Sequence, residues 1–398
     1  MGGEMTNNLQ VPWTDEQWAR VNQVIQEEAT RARVAATFLP LYGPLPGDTD
    51  FVRRETISYI PNPQAPPPQQ LTIRDRDTIQ LATLQVKVFV RSAQIADSEM
   101  RSVLSLFRRA ANVLVRLEDA MIFRGLVQAP LPAANLTPVG SPANLPPPIW
   151  EIRGGEVSDG LLSPPGSLTT LVAIPVPATA QAIVQAVSEG IGQLEASGHF
   201  GPFAVVLDQN YFETVQTPDP GSLVLPQDRI IPFLGGGSLL RSSTLPGNSG
   251  IVVALGGAPV ELVVATDMSL QFLQVTPDPR LLFRVREKIA LRMKEANAIL
   301  TLAPSGPSVW AVSPSTGPVA GGIPVNVWGL HMTGATGVQF GAAPPVIPAA
   351  NSVTDKLITN LTLPASSLPG GAPGTVPVTV TTPQGTSAVT TASQFTYV

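Results

Sequence analysis

Between residues 50 and 91 the chain runs through strand-forming stretches that are interrupted by a segment unable to pair. ETISYI (55–60) is followed by PNPQAPPPQQ (61–70), then by LTIRDRDTIQLATLQVKVFV (71–90). The Thr, Ile, Tyr and Val of the flanks suit a pleated strand. The prolines between them supply no ladder donors. The simplest path is a long two-stranded arm with a stiff, extended tip. Such a ribbon buries too little of itself to be stable alone. The rest of the chain, or another chain, must give it something to lie on.

The segments around the arm supply long helices. Thr14 is an N-cap and Gln17 completes a capping box, with Trp13 and Trp18 placed as a hydrophobic staple. Trp18, Val21, Ile25, Ala29 and Ala32 form one stripe at helical spacing, and Pro40, Pro44 and Pro46 end any helix beyond it. A second helix is predicted over about 98–124, capped by Asp97 or Ser98 and stopped by Gly125. Its stripe is Val103, Phe107, Ala110, Leu114, Leu117 and Met121. At 1.5 Å per residue it is roughly 40 Å long, the length of a spine along a flat subunit. After a proline-rich connection (129–148), QAIVQAVSEGIGQLEA reads as a helix, FAVVLD as a buried strand and QNYFETV as a short helix. GIVVAL, VELVVAT, MSLQFL and LLFRVREKIALRM read as strands. Residues 1–304 are therefore expected to be α+β.

At residue 305 the character changes. From Ser305 to Val398 the only charged side chains are Asp355 and Lys356. Short alternating strands such as VPVTVTT are separated by Gly and Pro turns, the pattern of an all-β sandwich and a separate domain, 305–398. The length of 398 residues suits two such units, and 43% hydrophobic residues suffice for their cores. The net charge of −5 gives no electrostatic footprint for nucleic acid, and no nucleic-acid partner is expected. No cysteine is present, which excludes disulfides and thiolate metal sites and fits a reducing compartment. The first residues show no secretory signal, and MGGEMT, though it fits a myristoylation pattern weakly, reads as an ordinary terminus. No apolar run is long enough for a membrane span. The expected location is the cytoplasm.

Candidate chemistry is sparse. LEDAMIFRG (117–125) sets Glu118 beside Asp119, but helix neighbours point about 100° apart and cannot form a dyad. They read as separate contacts, for example ion pairs with Arg116, Arg124 or another chain. His199 and His331 lie in different domains without metal-ligand spacing and read as surface or loop residues. None of Lys87, Lys288, Lys294 and Lys356 follows a Ser-x-x-Lys pattern. LGGGS (234–238) and AGG (320–322) do not continue into a phosphate loop and read as turns. The arginine-rich stretches Arg53-Arg54, RDRD and Arg108-Arg109 read as subunit contacts. An enzyme has no residue set to rest on; an arm, a spine and an added domain fit an assembling structural protein.

The ordered motifs TDEQWARVNQVIQEEA…FLPLYGPL, LATLQVKVFVRS, RLEDAMIFRG, GLL (160–162), GHFGPFAVVLD and VVATDMSLQFL resemble the encapsulins. The resemblance spans nearly all of residues 12–302. It implies a self-assembling icosahedral nanocompartment with the tailed-phage capsid fold. It further implies an extended loop at about 50–80 lying on a neighbouring subunit, a spine helix at about 98–124 and an axial subdomain at about 155–250. Asp219 would line a pore, and Glu118, Asp119 and Arg124 would be assembly contacts. Cargo enzymes would dock by a C-terminal tag on a floor of Val34, Phe38, Leu39, Leu41, Met268, Leu270 and Phe272. Two departures matter. Ala36 and Pro40 stand where an arginine and an aspartate are expected, which implies a more apolar tag. Ala93 stands where some members carry a flavin-stacking tryptophan, so no flavin or other cofactor is expected. The loop has no lysine, so covalent cross-linking between subunits is not expected.

PSVWAVSPSTGPVAGGIPVNVWGLHM, GVQFGAAP and VPVTVTTPQGTSAVTTASQFTY resemble the IPT/TIG immunoglobulin-like domains. In encapsulins the C-terminus faces outward, so the resemblance implies an external module, with a partner, glycan or neighbouring module as its contact. The alternative is the major capsid protein of a phage or prophage, packaging DNA. No scaffold-like segment precedes Thr14, which favours the nanocompartment.

Overall fold

The computed structural model describes residues 11–60, 70–128, 136–139, 149–162, 171–218, 224–276, 280–383, 385–390 and 393–398. The N-terminal helix, Asp15–Ala32, starts at the expected cap. Thr14 Oγ1 accepts the Gln17 amide at 3.2 Å, and the Gln17 side-chain carbonyl accepts the Thr14 amide at 3.0 Å. Trp13 and Trp18 meet edge-on at 4.9 Å, as the staple requires. Trp18, Val21, Ile25 and Ala29 are buried, while Ala32, at the frayed end of the stripe, is half-buried.

The spine helix spans Arg101–Arg124, starting later than expected. The Asp97 carboxylate accepts the Glu99 amide at 3.0 Å, closing a local turn, and Met100 takes a left-handed conformation at the helix start (φ 55°). All six stripe residues are buried. Gly125 ends the helix with φ 82°, and a β-carbon there would lie 2.1 Å from the Ser158 carbonyl oxygen, so no other residue fits without backbone movement.

Both helices lie on one face of a five-stranded sheet. Its strands are β1 (Leu41–Tyr42), β2 (Ala82–Arg91), β3 (Trp150–Gly154), β4 (Val260–Val275) and β5 (Arg280–Met293), in the order β1-β4-β5-β2-β3. The stretches VELVVAT and MSLQFL are one strand, β4, with irregular register around Val264–Ser269 and Phe272–Gln274. Alternation decides the faces. Leu84, Val86 and Val88 of β2 and Leu281, Phe283 and Val285 of β5 join the helices in one core. Trp13 stacks on Phe283 at 5.0 Å within it.

The expected arm is present, though the run after the proline tip is divided. Thr56–Ile60 pairs antiparallel with Gln70–Arg74, and Phe51–Arg53 with Thr78–Gln80, whereas Ala82–Arg91 belongs to the main sheet. The tip, 61–69, lies outside the described residues. A second five-stranded sheet runs Leu171–Ile174, Ile299–Pro304, Gly250–Ala254, Phe203–Leu207, Leu239–Arg241. It buries its own cluster against the helix Ala180–Ala196.

The C-terminal strands form two sheets, one of Ser308–Ser313, Pro324–Leu330 and Leu357–Thr362, the other built around Gly374–Thr382 and Gln394–Tyr397. Val325, Phe340, Val378 and Phe395 pack between them as an immunoglobulin-like core. This unit is also seated on the body. Trp310 is 5% exposed and belongs to the apolar cluster of the helices and main sheet, with Trp328 packed against the same cluster. Lys356 and Asp159 attract each other across the seam. Trp310→Ala is expected to cost about 3–5 kcal/mol, the range for emptying a buried tryptophan site. Urea unfolding of the full chain would show it as a lower midpoint; a midpoint equal to wild type would mean that the seat carries no stability.

Candidate assembly and docking surfaces

Glu118, Asp119 and Arg124 are 1%, 3% and 5% exposed, so none of them reaches a neighbouring subunit. Their expected role as assembly contacts is corrected by their burial: the spine ends inside the chain, and its charges are consumed there. Arg33, just past the N-terminal helix, donates from Nε to Glu118 at 2.8 Å. Its Nη2 donates to Glu287 of β5 and to Asp267 of β4, each at 2.8 Å. Asp119 accepts the amides of Val34 and Ala35 at 3.2 and 2.9 Å, capping the turn that follows the N-terminal helix. Arg124 Nε donates to the Thr244 carbonyl at 2.7 Å. The partner of Glu118 is thus Arg33, 85 positions away. One signal for this knot was readable: Glu287 falls on the inward phase of LLFRVREKIALRM, where alternation calls for an apolar residue.

Three carboxylates share one guanidinium, and the balance shows in their titration. Burial pushes Glu118 up to about 7, against the pull of Arg33. Burial, reinforced by the Glu118 charge, pushes Asp119 up to about 8 despite its two amide donors. Burial and then Glu118 raise Glu287 well above the carboxylate range. Arg33 is raised: burial opposes its charge, but Glu118, Glu287 and Asp267 outweigh it. Folded-state values above the unfolded ones mean that the folded chain holds protons the unfolded chain gives up. This stability is present in acid, declines once pH passes the ordinary carboxylate values of about 4, and is gone as pH rises through 7 to 8. Asp119→Asn keeps the acceptor for the two amides and removes the titration. The drop in thermal midpoint between pH 5 and pH 8.5 should shrink in that variant. Asp119→Ala, which orphans both amides, should cost about 1–3 kcal/mol at every pH. A wild-type pH slope in the Asn variant would rule out this origin.

The expected cargo floor divides. Phe38, Leu39, Met268 and Phe272 are 8%, 3%, 1% and 3% exposed and are core, not floor. Phe38 stacks on Phe123 at 6.5 Å and Phe272 meets Phe283 at 5.4 Å. The N-terminal helix is tied to the sheet there, as Gln26 Nε2 donates to the Met268 carbonyl at 2.6 Å. Val34 and Leu270 are half-buried, and Leu41 is 63% exposed on the edge strand β1 beside Tyr42, itself 41% exposed. Those surfaces remain open to a ligand. On the arm, Phe51, Leu71 and Ile73 are exposed by 56%, 68% and 61%. Asp219 lies outside the described residues.

His199, expected at the surface or in a loop, lies in the loop after the Ala180–Ala196 helix, buried and 4.0 Å from Glu295. His331 is half-buried, its Nδ1 3.0 Å from the Gly306 carbonyl. Among the described residues no cluster of His, Asp and Glu could hold a metal ion, and no helix is long and apolar enough to cross a membrane.

A spine helix under a long sheet, an arm that projects from it and a second α/β unit together define a capsid-like shell subunit. The chain belongs to the Linocin_M18 family, "Encapsulating protein for peroxidase", whose model matches residues 5–132 and 157–290. The IPT/TIG domain model matches residues 307–397. The type 1 encapsulin shell protein EncA of Myxococcus xanthus (strain DK1622) is 27% identical over 312 residues, covering 74% of this chain and 95% of that protein. The crystal structure of a virus-like particle from Pyrococcus furiosus has the same fold, with a TM-score of 0.54 and 16% identity. That match covers 72% of this chain and 99% of the other. The capsid of Myoviridae phage XM1 aligns with a TM-score of 0.46 and 12% identity, over 68% of this chain and 91% of that one.

Proposed function

We propose that this shell-family chain builds a closed icosahedral compartment that encloses a cargo enzyme and carries its immunoglobulin-like domain outside. Residues 1–304 are the shell unit and 305–398 the added domain. The observation that carries assembly is the arm: Phe51, Leu71 and Ile73 are apolar and exposed among the described residues. A ribbon of that kind gains its stability by lying on a neighbouring copy. Electron microscopy of the protein expressed alone should reveal closed, spiked shells. Leu71→Asp with Ile73→Asp should leave folded subunits, by circular dichroism, that no longer close. A wild-type chain that stays monomeric would overturn the reading.

Cargo docking rests on a smaller set than the resemblance implied. Leu41 and Tyr42 form an exposed edge strand, paired on one side only with β4 among the described residues. Val34 and Leu270 are half-buried elsewhere on the expected floor. An extended apolar tag at the C-terminus of a cargo enzyme fits such an edge by adding backbone hydrogen bonds and filling alternate side-chain sites. A peroxidase, named in the family description, is the first candidate cargo to test. Leu41→Glu is expected to reduce co-purification of a tagged cargo at least tenfold while shells still form. Unchanged loading in Leu41→Glu shells would place the docking surface elsewhere.

A further inference from the structure

The main sheet has a second face, covered at one end where Val263, Ala265 and Ala290 pack under Ile79 and Leu81, and charged over the rest. Arg153 of β3, Lys87 and Arg91 of β2, and Arg280, Arg284 and Arg286 of β5 all fall on the phase opposite to the buried Val86, Val88, Phe283 and Val285. One like-charged pair is in direct register, Arg284 opposite Lys87. Cross-strand like charges destabilise a sheet unless something answers them. Among the described residues the acid in their midst is Glu151, already engaged by Arg153 at 2.8 Å, Gln85 at 2.7 Å and Lys87 at 3.5 Å. Arg284 donates there only to the neutral Gln271, at 2.6 and 2.8 Å, and Gln85, at 3.1 Å. Arg286 makes no hydrogen bond or ion pair among the described residues, and its Nε is buried without a partner. Arg284 is lowered by burial and by the nearby charges of Arg286 and Arg153. Phe89, 52% exposed, stands between Lys87 and Arg91 on this same face. The net charge of −5 conceals this segregation, because the acids that outnumber the cations lie elsewhere.

We propose that this open sheet face binds single-stranded nucleic acid, with the arginine forks and Lys87 on phosphates and Phe89 as a stacking platform for a base. Guanidinium forks match phosphate oxygens in pairs of hydrogen bonds. A flat sheet with an exposed ring among cations is how several single-strand binders hold backbone and bases together. Phe89 decides between nucleic acid and an acidic protein partner. Carboxylates would satisfy the cations, but an isolated exposed ring set within them gains most from a base that brings phosphate and π-face together.

The test uses the purified full-length protein, washed in high salt and treated with nuclease. A fluorescein-labelled 20-nucleotide single strand is titrated by anisotropy at 50 and 200 mM salt. Saturable binding is expected at the lower salt. With four phosphate contacts, affinity should fall about 50-fold at the higher salt, from a slope of about −0.7 per contact. Lys87→Gln with Arg284→Gln should weaken binding at least tenfold and flatten that slope, whereas Phe89→Ala should weaken it about tenfold with the slope unchanged. If the double variant does not assemble, photocross-linking of a bromouridine-substituted strand to the wild-type protein should label 83–91 and 280–288. Absence of binding overturns the proposal, as does label confined to other segments. Equal affinity in Phe89→Ala, with full competition by polyphosphate, would make the face a bare phosphate site and also overturn it. Binding of polyglutamate but not of the oligonucleotide would assign it to an acidic protein partner instead. None of these outcomes depends on whether the protein forms shells, so failure here is distinct from failure of the assembly reading.

Discussion

A single guanidinium holds three parts of the subunit in one place. Arg33 ends the N-terminal helix, Glu118 belongs to the spine, and Glu287 and Asp267 belong to neighbouring strands of the main sheet. Glu118 and Glu287 are closed to solvent, so each must be charge-compensated or carry a proton. With more acid than base in the knot, both devices are needed at neutral pH. Asp119 adds the cap on the turn after Arg33, and Arg124 extends the lock to the loop at Thr244. The helices are thereby held on the sheet by directional bonds as well as by the apolar core beneath them.

That rigidity determines which surfaces are left for function. Where the N-terminal helix presses onto β4, Phe38, Met268 and Phe272 are used up in packing, while Leu41 stays exposed and Val34 and Leu270 half-buried. The base of the arm packs on the sheet through Ile79 and Val52, and further out Leu71 and Ile73 are exposed. A flat shell subunit needs this division. A stiff plate keeps its geometry through many identical contacts, and a ribbon with weak internal stability takes its shape from the neighbour. The C-terminal domain belongs to the plate in this respect, because Trp310 is planted in the body's core. It is held as a fixed projection and not swung on a linker.

The elements with local signals were legible from the chain alone. Thr14 and Gln17, the staple of Trp13 and Trp18, the spine stripe ending at Gly125 and the change of composition at Ser305 each depend on residues within a few turns of one another. The residue order of the shell motifs carried the family. The roles of the charged residues in LEDAMIFRG were not legible, because their partners sit 84 to 120 positions away and no spacing rule connects them. The start of the spine was missed for a related reason: Asp97 has two possible hydrogen-bonding uses, and only the folded turn selects one.

The sequence by itself determined periodicity, caps, breaks and the phase of each strand, since these follow from the backbone geometry of neighbouring residues. It determined an arm that must find a partner, because prolines and a thin ribbon cannot stabilise themselves. Only the tertiary structure decided what each face meets. Glu118 and Asp119 became internal braces, half the presumed floor became core, and cations scattered over Lys87, Arg153 and Arg284 became one surface. Burial and electrostatics depend on distance in space, and strands far apart in the chain are brought side by side only when the sheet is assembled.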